Sequence, residues 1–277
     1  MKFDLRETAK DHRIVVAHRG VAGGNIPCNT ITAYETALKQ GADMIEIDVD
    51  CTADGKLVIF HPGMEYCHLG FEGRIPEMTW EEVKALRYLN YDRAPTHFGI
   101  ETVEDVFERF KGRCYINVDK FWGNPEKIYE EIKRHGITDQ VLVKSEVNDR
   151  VLDVLEQLAP ELPFIPVVHG SHPHHEALMK RNINYMGVEV VYAKEDNYMG
   201  THEFVENMHK DGKLVWVNSI IYASSVQLSG GHSDDSALSD SLDYGWGWLV
   251  DRDYDFIQTD WAGMLIDYLK KIGKYYR

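Results

Sequence analysis

MIEIDVD, residues 44–50, alternates Ile45, Ile47 and Val49 with three carboxylates, Glu46, Asp48 and Asp50. Successive side chains of a β-strand point to opposite faces, so a strand here carries its apolar groups on one side and its charges on the other. A row of like charges raises its own pKa values and repels itself unless water or a cation neutralises it. On an edge strand the carboxylates would face solvent. In a closed barrel of parallel strands the apolar face meets the surrounding helices, and the carboxylates point to the axis at the C-terminal mouth, where such barrels carry their active sites. Ligands that are all oxygen suit one divalent cation, Mg²⁺ or Ca²⁺.

The rest of the chain favours the barrel. Strands are expected at 14–18, 44–49, 115–119, 140–145, 164–169, 185–191, 213–218 and 255–259. Amphipathic helices are expected between them, beginning near Thr79, Glu101, Pro125, Asn148, His174, Thr201 and Ala262. The first helix is the clearest. Asn29 and Thr30 can cap it, Ile31, Tyr34, Ala37 and Leu38 form its apolar stripe, and Gly41 ends it. Strands alternating with helices imply parallel pairing, and eight such units suit an α/β fold of the (β/α)₈ TIM-barrel type. A doubly wound open sheet is the alternative, weakened by the lack of a G-x-G-x-x-G turn after the first strand. Residues 1–277 read as a single domain with insertions at 62–100, after the second strand, and at 219–250, after the seventh. Long irregular segments of this kind usually roof a site or serve an interface.

Composition narrows the partners. The 277 residues include 45 Asp and Glu against 30 Lys and Arg, and the net charge of −15 argues against broad binding to nucleic acid or to anionic membranes. The charged N-terminus lacks the apolar centre of a signal peptide, and no apolar run reaches membrane-spanning length. Cys28, Cys51, Cys67 and Cys114 have neither zinc-site nor disulfide-framework spacing, so free thiols in a reducing cytoplasm are expected.

Other strand ends carry chemistry too. The first strand ends on His18 and Arg19 beside Gly20, a turn at Asp54-Gly55 leads to His61, and the third strand ends on Asp119. Two histidines able to trade a proton, a guanidinium suited to a phosphate oxygen and converging carboxylates are the parts of metal-assisted phosphodiester cleavage.

The order of these motifs resembles the glycerophosphodiester phosphodiesterase family: His18-Arg19-Gly20, Pro27-Cys28-Asn29-Thr30, Gly41-Ala42-Asp43 with Glu46 and Asp48, Thr52, Asp54-Gly55 and His61. Weaker echoes are INVD at the third strand, APELPF before the fifth, Trp216 in the seventh and FIQTD ending at Asp260. The resemblance implies a TIM barrel with an insertion after the second strand, acting on a small phosphodiester, with a glycerophosphodiester foremost. It implies His18 and His61 as general acid and base, Glu46, Asp48 and Asp119 as metal ligands, Arg19 on a phosphate oxygen and Trp216 in the substrate site. Asp50 has no counterpart among the family's ligands and is assigned to a supporting or solvated position.

The chain departs from the family where Cys28 replaces Glu, Pro62 replaces Asp, and Asp119-Lys120-Phe121 replaces Glu-x-Lys. Cys28 has no activating neighbour in sequence and reads as a small buried residue. If strand alternation continues past Asp119, Phe121 shares its face and Lys120 turns toward the helices or the rim. Lys144 in the next strand is then the expected replacement cation, since an unpaired ammonium among the helices would be costly. The histidines of HGSHPHHE, 169–176, read as a solvated loop with a helix start. Tyr222, Trp246 and Trp248 are candidates for an apolar substrate wall, and Asp234, Asp235, Asp240 and Asp243 read as solvated surface. The alternatives to a hydrolase are a lyase-like phospholipase of the sphingomyelinase D or phosphatidylinositol phospholipase type, releasing a cyclic phosphate, and a non-catalytic barrel that binds a phosphorylated ligand.

Overall fold

The computed structural model describes residues 3–223 and 225–276. Among these residues nine strands form: β1 (Ile14–Ala17), β2 (Met44–Cys51), β3 (Leu57–Ile59), β4 (Tyr115–Asp119), β5 (Val141–Glu146), β6 (Phe164–His169), β7 (Gly187–Val191), β8 (Leu214–Asn218) and β9 (Phe256–Thr259). All but β3 pair in parallel, and contacts of β1 with both β2 and β9 close the ring into an eight-stranded barrel. The open doubly wound sheet is thereby excluded. The eight barrel strands are those expected from the sequence, with ends moved by two residues or fewer. The added β3, Leu57–Ile59, folds back antiparallel on β2 after the Asp54-Gly55 turn.

Alternation along β2 sorts the two faces as the 44–50 pattern requires. Ile45, Ile47 and Val49 are buried between barrel and helices, together with Val15, Ile116, Val118 and Val143 from neighbouring strands. Each such side chain contributes about 1.5–3 kcal/mol of burial free energy. The opposite faces form a second cluster inside the barrel, in which Ile14, Val16, Met44, Leu142, Trp216 and Phe256 fill the lower half. A short helix, Leu5–Asp11, which the periodicity did not suggest, plugs the bottom through Phe3, Leu5 and Ala9. Apolar filling below leaves the polar inward residues to the upper half, where the strands end.

The insertion after β2 packs Leu69, Ile75, Val83 and Tyr88 in a small apolar cluster with Val58 and Phe60. The late insertion carries a helix at Asp234–Ser239, a π-helical turn at Asp243–Gly247 and a helix at Trp248–Asp251. Two expectations fail there. Asp234 is buried, not solvated, and its Oδ1 accepts hydrogen bonds from Ser219 (2.6 Å), Trp246 Nε1 (2.7 Å) and Thr259 (2.8 Å). Trp246 is wholly buried as its donor and lines no wall. Trp248 stacks against His232 at 4.0 Å and under Arg252, packed on the cluster between barrel and helices, and is not among the residues lining the mouth cavity. Among the described residues no helix is long and apolar enough to cross a membrane.

Candidate active site

Register brings the carboxylates together. In the parallel pairing of β2 with β4, Glu46 lies beside Asn117 and Asp48 beside Asp119. One oxygen from each of Glu46, Asp48 and Asp119 lies within 4.8 Å of the others, the only such cluster of potential ligands among the described residues. Glu46 and Asp48 are buried, and Asp48 Oδ1 has no hydrogen-bond partner. An orphaned, buried carboxylate oxygen inside an all-oxygen set fits a hard divalent cation. Burial, and then the charge of Asp48, push the Glu46 carboxyl well above its ordinary range. Asp119 is also raised by burial, but the Lys120 and Lys144 ammonium groups outweigh that and hold it low.

The H-R-G and P-x-N-T motifs build the wall around this cluster. The backbone N–H of Arg19 donates to Glu46 Oε2 at 2.8 Å. Its Nε lies 2.9 Å from Asp48 Oδ2, an ionic contact without the angle of a hydrogen bond. Asn29 Nδ2 donates to the same Oδ2 at 2.8 Å, and Asn29 Oδ1 accepts from Tyr34 at 2.9 Å. Thr30 alone caps the following helix, through Ala33 N. The role of Asn29 as the clamp on Asp48 was therefore missed, although its place in P-x-N-T was the available signal.

Gly20 has φ of +77°, and a Cβ there would come within 2.7 Å of the Ala33 carbonyl carbon. Gly20→Ala is expected to cost about 2–5 kcal/mol, from backbone strain plus overpacking. Urea unfolding measures the loss. A change below about 0.5 kcal/mol, the ordinary surface value, would contradict it.

Both motif histidines reach the mouth. His18 Nδ1–H donates to Asp260 Oδ1 at 2.8 Å, leaving Nε2 free. Asp260 is placed by its own N–H, which donates to Asp234 Oδ2 at 2.9 Å. The buried Asp234 thus orients His18 through one intermediate residue. His61 Nδ1–H donates to the Pro62 carbonyl at 2.9 Å, which again frees Nε2. Burial lowers the His61 pKa, and the nearby Arg19 and Lys120 charges add to this against the opposing pull of Asp48.

Lys120 corrects the expectation drawn from alternation. β4 ends at Asp119, Lys120 adopts φ of +60°, and Phe121 begins a 3₁₀ turn. The left-handed residue swings Lys120 into the site, with Nζ 2.8 Å from Asp119 Oδ2 and 3.7 Å from Asp48 Oδ1, while Phe121 is buried in the layer between barrel and helices. Arg19, Asn29 and Lys120 are three of the five described non-glycine residues with positive φ, and all border the carboxylate cluster. Such backbone strain is typical of functional sites.

Lys144 does point into the barrel. Its Nζ is 2.7 Å from Glu189 Oε2 and 3.3 Å from Gln258 Oε1. Its charge acts on Asp119 and Glu46, but the shortest contact is with Glu189. Trp216 lies beneath it, ring centroid 4.3 Å from Nζ, fully buried and stacked on Phe256. Trp216 is thus a floor under Lys144 and does not itself line the cavity.

A cavity of about 180 Å³ opens at the mouth, with His18, Asp119, Lys120, Lys144, Glu189 and Tyr222 on its walls. Tyr222 is exposed, with its ring 6.5 Å from that of His18, and His169 of the histidine-rich loop also reaches the rim. Asp50 lies outside the ligand cluster, buried, with Oδ1 accepting from Cys51 N. Cys28 touches His68 Nδ1 at 3.7 Å, but burial pushes its thiol up to about 12, so it is not a thiolate nucleophile. All four cysteines are free thiols.

Residues 18–218 match the Glycerophosphoryl diester phosphodiesterase family. The chain belongs to that family.

The glycerophosphodiester phosphodiesterase of Bacillus altitudinis is 31% identical over 227 residues, covering 72% of this chain and 88% of that protein. That of Bacillus subtilis strain 168 is 31% identical over 181 residues, covering 58% and 61%. An uncharacterised protein of the same strain is 32% identical over 156 residues, covering 53% and 63%. The match thus spans about three fifths of the length of these two Bacillus subtilis relatives. Among solved structures, a glycerophosphoryl diester phosphodiesterase from Parabacteroides distasonis superposes with a TM-score of 0.80 at 16% identity, covering 100% of this chain and 98% of that one. An Oleispira antarctica phosphodiesterase in complex with the product sn-glycerol-3-phosphate gives 0.69 at 20% identity, covering 94% and 97%. These likenesses establish the shared barrel of the phosphodiesterase family.

Proposed function

We propose that this chain, acting as one catalytic domain, is a metal-dependent hydrolase that cleaves a glycerophosphodiester to a phosphomonoester and an alcohol. The convergence of the Glu46, Asp48 and Asp119 oxygens with His18, His61 and Arg19 at one barrel mouth carries this reading. Glu46, Asp48 and Asp119 would hold one Mg²⁺ or Ca²⁺, which when bound supplies positive charge against the phosphoryl oxygens. Arg19, pressed against Asp48, presents its remaining N–H groups to a phosphate oxygen. Lys120 adds a second cation on the Asp119 side. His18 and His61 each keep one ring nitrogen free, so one takes the proton of the attacking water while the other protonates the departing alkoxide. Asp260 holds the His18 ring and its tautomer. The excess of acidic residues suits a small substrate steered by local cations over a polyanionic partner.

The test is product analysis with glycerophosphocholine, Mg²⁺ and Ca²⁺ by phosphorus NMR. Glycerol phosphate with free choline is expected. A cyclic phosphate would instead identify a lyase-like enzyme, and absence of any product across a panel of glycerophosphodiesters would leave only phosphate binding.

A further inference from the structure

The late insertion carries a buried carboxylate whose position in its own helix does not explain it. Asp234 opens the helix Asp234–Ser239, yet Ser233 caps that helix through Ser236 N. The hydrogen bonds of the Asp234 carboxylate go instead to Ser219, Trp246, Thr259 and the N–H of Asp260, all outside the helix. Burying it is costly, since burial pushes the carboxyl up to about 6 despite those donors.

The two oxygens divide the work. Oδ1 gathers Ser219 (2.6 Å), Trp246 Nε1 (2.7 Å) and Thr259 (2.8 Å), which closes the base of the insertion. The oxygen of an asparagine could meet the same donors. Only Oδ2, which accepts from Asp260 N–H at 2.9 Å, demands a second acceptor, so the bond to Asp260 is what requires a carboxylate. The anchor itself is firm. Asp234 N donates to the Ser219 carbonyl at 2.6 Å, and Ser219 N donates to the Gln258 carbonyl at 2.8 Å, which ties Asp234 to the ends of β8 and β9.

Asp260 depends on this support. Its side chain is 49% exposed on the rim, and its Oδ1 holds His18 Nδ1 at 2.8 Å. Thr259 Oγ1 donates to Asp234 and accepts from Trp261 N at 2.9 Å, so the backbone is pinned on both sides of Asp260 as well as at its own N–H. Misplacing a reacting group by about 1 Å can cost about 10²-fold in rate. We propose that Asp234 is a positioning residue for the cleavage, setting His18 against the substrate through Asp260, and that the late insertion serves to deliver it. This rests on the phosphodiesterase reading.

The experiment is a double-mutant cycle in kcat on glycerophosphocholine, with Mg²⁺ or Ca²⁺ saturating. Asp234→Asn keeps an oxygen for the three donors at Oδ1 and sets an amide N–H against that of Asp260. It is expected to lower kcat about tenfold or more and to leave KM within about twofold. In a His18→Ala background the same substitution should change kcat by less than about twofold, because a residue that acts through His18 has nothing left to position. Ser219→Ala removes one bond to Oδ1 at little cost in volume and enters the same cycle should Asp234→Asn fold poorly, with a loss of about threefold expected only where His18 is present. A kcat within about twofold of wild type in Asp234→Asn, or an equal loss with and without His18, overturns the proposal. Proton NMR supplies a readout that needs no turnover. The downfield His18 Nδ1–H resonance, identified by its absence in His18→Ala, should vanish into exchange with water in Asp234→Asn. Failure of the catalytic reading looks different: wild-type protein cleaves no diester, and the resonance alone then decides, its persistence in Asp234→Asn counting against the positioning role and its loss for it.

Discussion

Asp48→Asn is expected to lower kcat on order of 10³-fold or more, about 4 kcal/mol of transition-state stabilisation, and saturating Mg²⁺ or Ca²⁺ should not restore it. Asp48 is the fully buried member of the cluster, and its two oxygens do different work. Oδ2 receives Asn29 Nδ2 and faces Arg19, whereas Oδ1 is left without a hydrogen-bond partner. An amide cannot serve both. With its oxygen toward Asn29 and Arg19, its NH₂ occupies the position of the orphaned ligand atom and can neither coordinate a cation nor carry charge. Flipped, it sets donor against donor. Circular dichroism separates this loss from unfolding, and EDTA should abolish wild-type turnover in parallel. Full activity in EDTA would sink the metal assignment for Glu46, Asp48 and Asp119 together.

The second large effect lies with the histidines. His18→Ala and His61→Ala should each reduce kcat by about 10²–10⁴, the usual contribution of a positioned acid or base. The tautomers set by Asp260 and by the Pro62 carbonyl leave both Nε2 atoms free, so the structure makes the two rings equivalent in kind. Leaving-group dependence distinguishes them. The variant lacking the general acid should recover most of its rate on a p-nitrophenyl diester, whose phenolate departs without a proton. The variant lacking the base should stay slow on every substrate. Wild-type rates in either variant would end the two-histidine mechanism.

Where the structure departs from the local pattern, each departure has its own physical cause. The expectation for Lys120 and Phe121 extended the period of a strand one residue too far. A left-handed residue at Lys120 reverses the faces, and a Lys at positive φ has no sequence signature of the kind glycine provides. Asp234 looked solvated because DD in a Ser/Gly-rich stretch usually is. Its burial depends on Trp246, Ser219 and Thr259 arriving from other parts of the chain. Trp216 was assigned to the substrate through the family echo, yet the level at which β8 crosses the barrel leaves its ring below Lys144. β3 was legible as an extended run ending near His61, but its antiparallel return onto β2 was not.

What the sequence alone determined is what local periodicity and order encode. Two-residue alternation in MIEIDVD put Ile45, Ile47 and Val49 outward and Glu46 and Asp48 inward, and eight strands separated by helices implied parallel pairing, with a closed barrel favoured over an open sheet. The ordered motifs picked out His18, Arg19 and His61, which follow the ends of β1 and β3, and Glu46 and Asp48, which alternate along β2, where backbone geometry is set by immediate neighbours. Tertiary structure alone decided which charges meet. The pairing of Asp48 with Asp119 follows from register between β2 and β4, that of Lys144 with Glu189 from the circumference of the closed ring, and the anchoring of Asp260 by Asp234 from the fold of a distant insertion. Electrostatic partners are chosen by distance in space and by burial, and neither quantity is a function of separation along the chain.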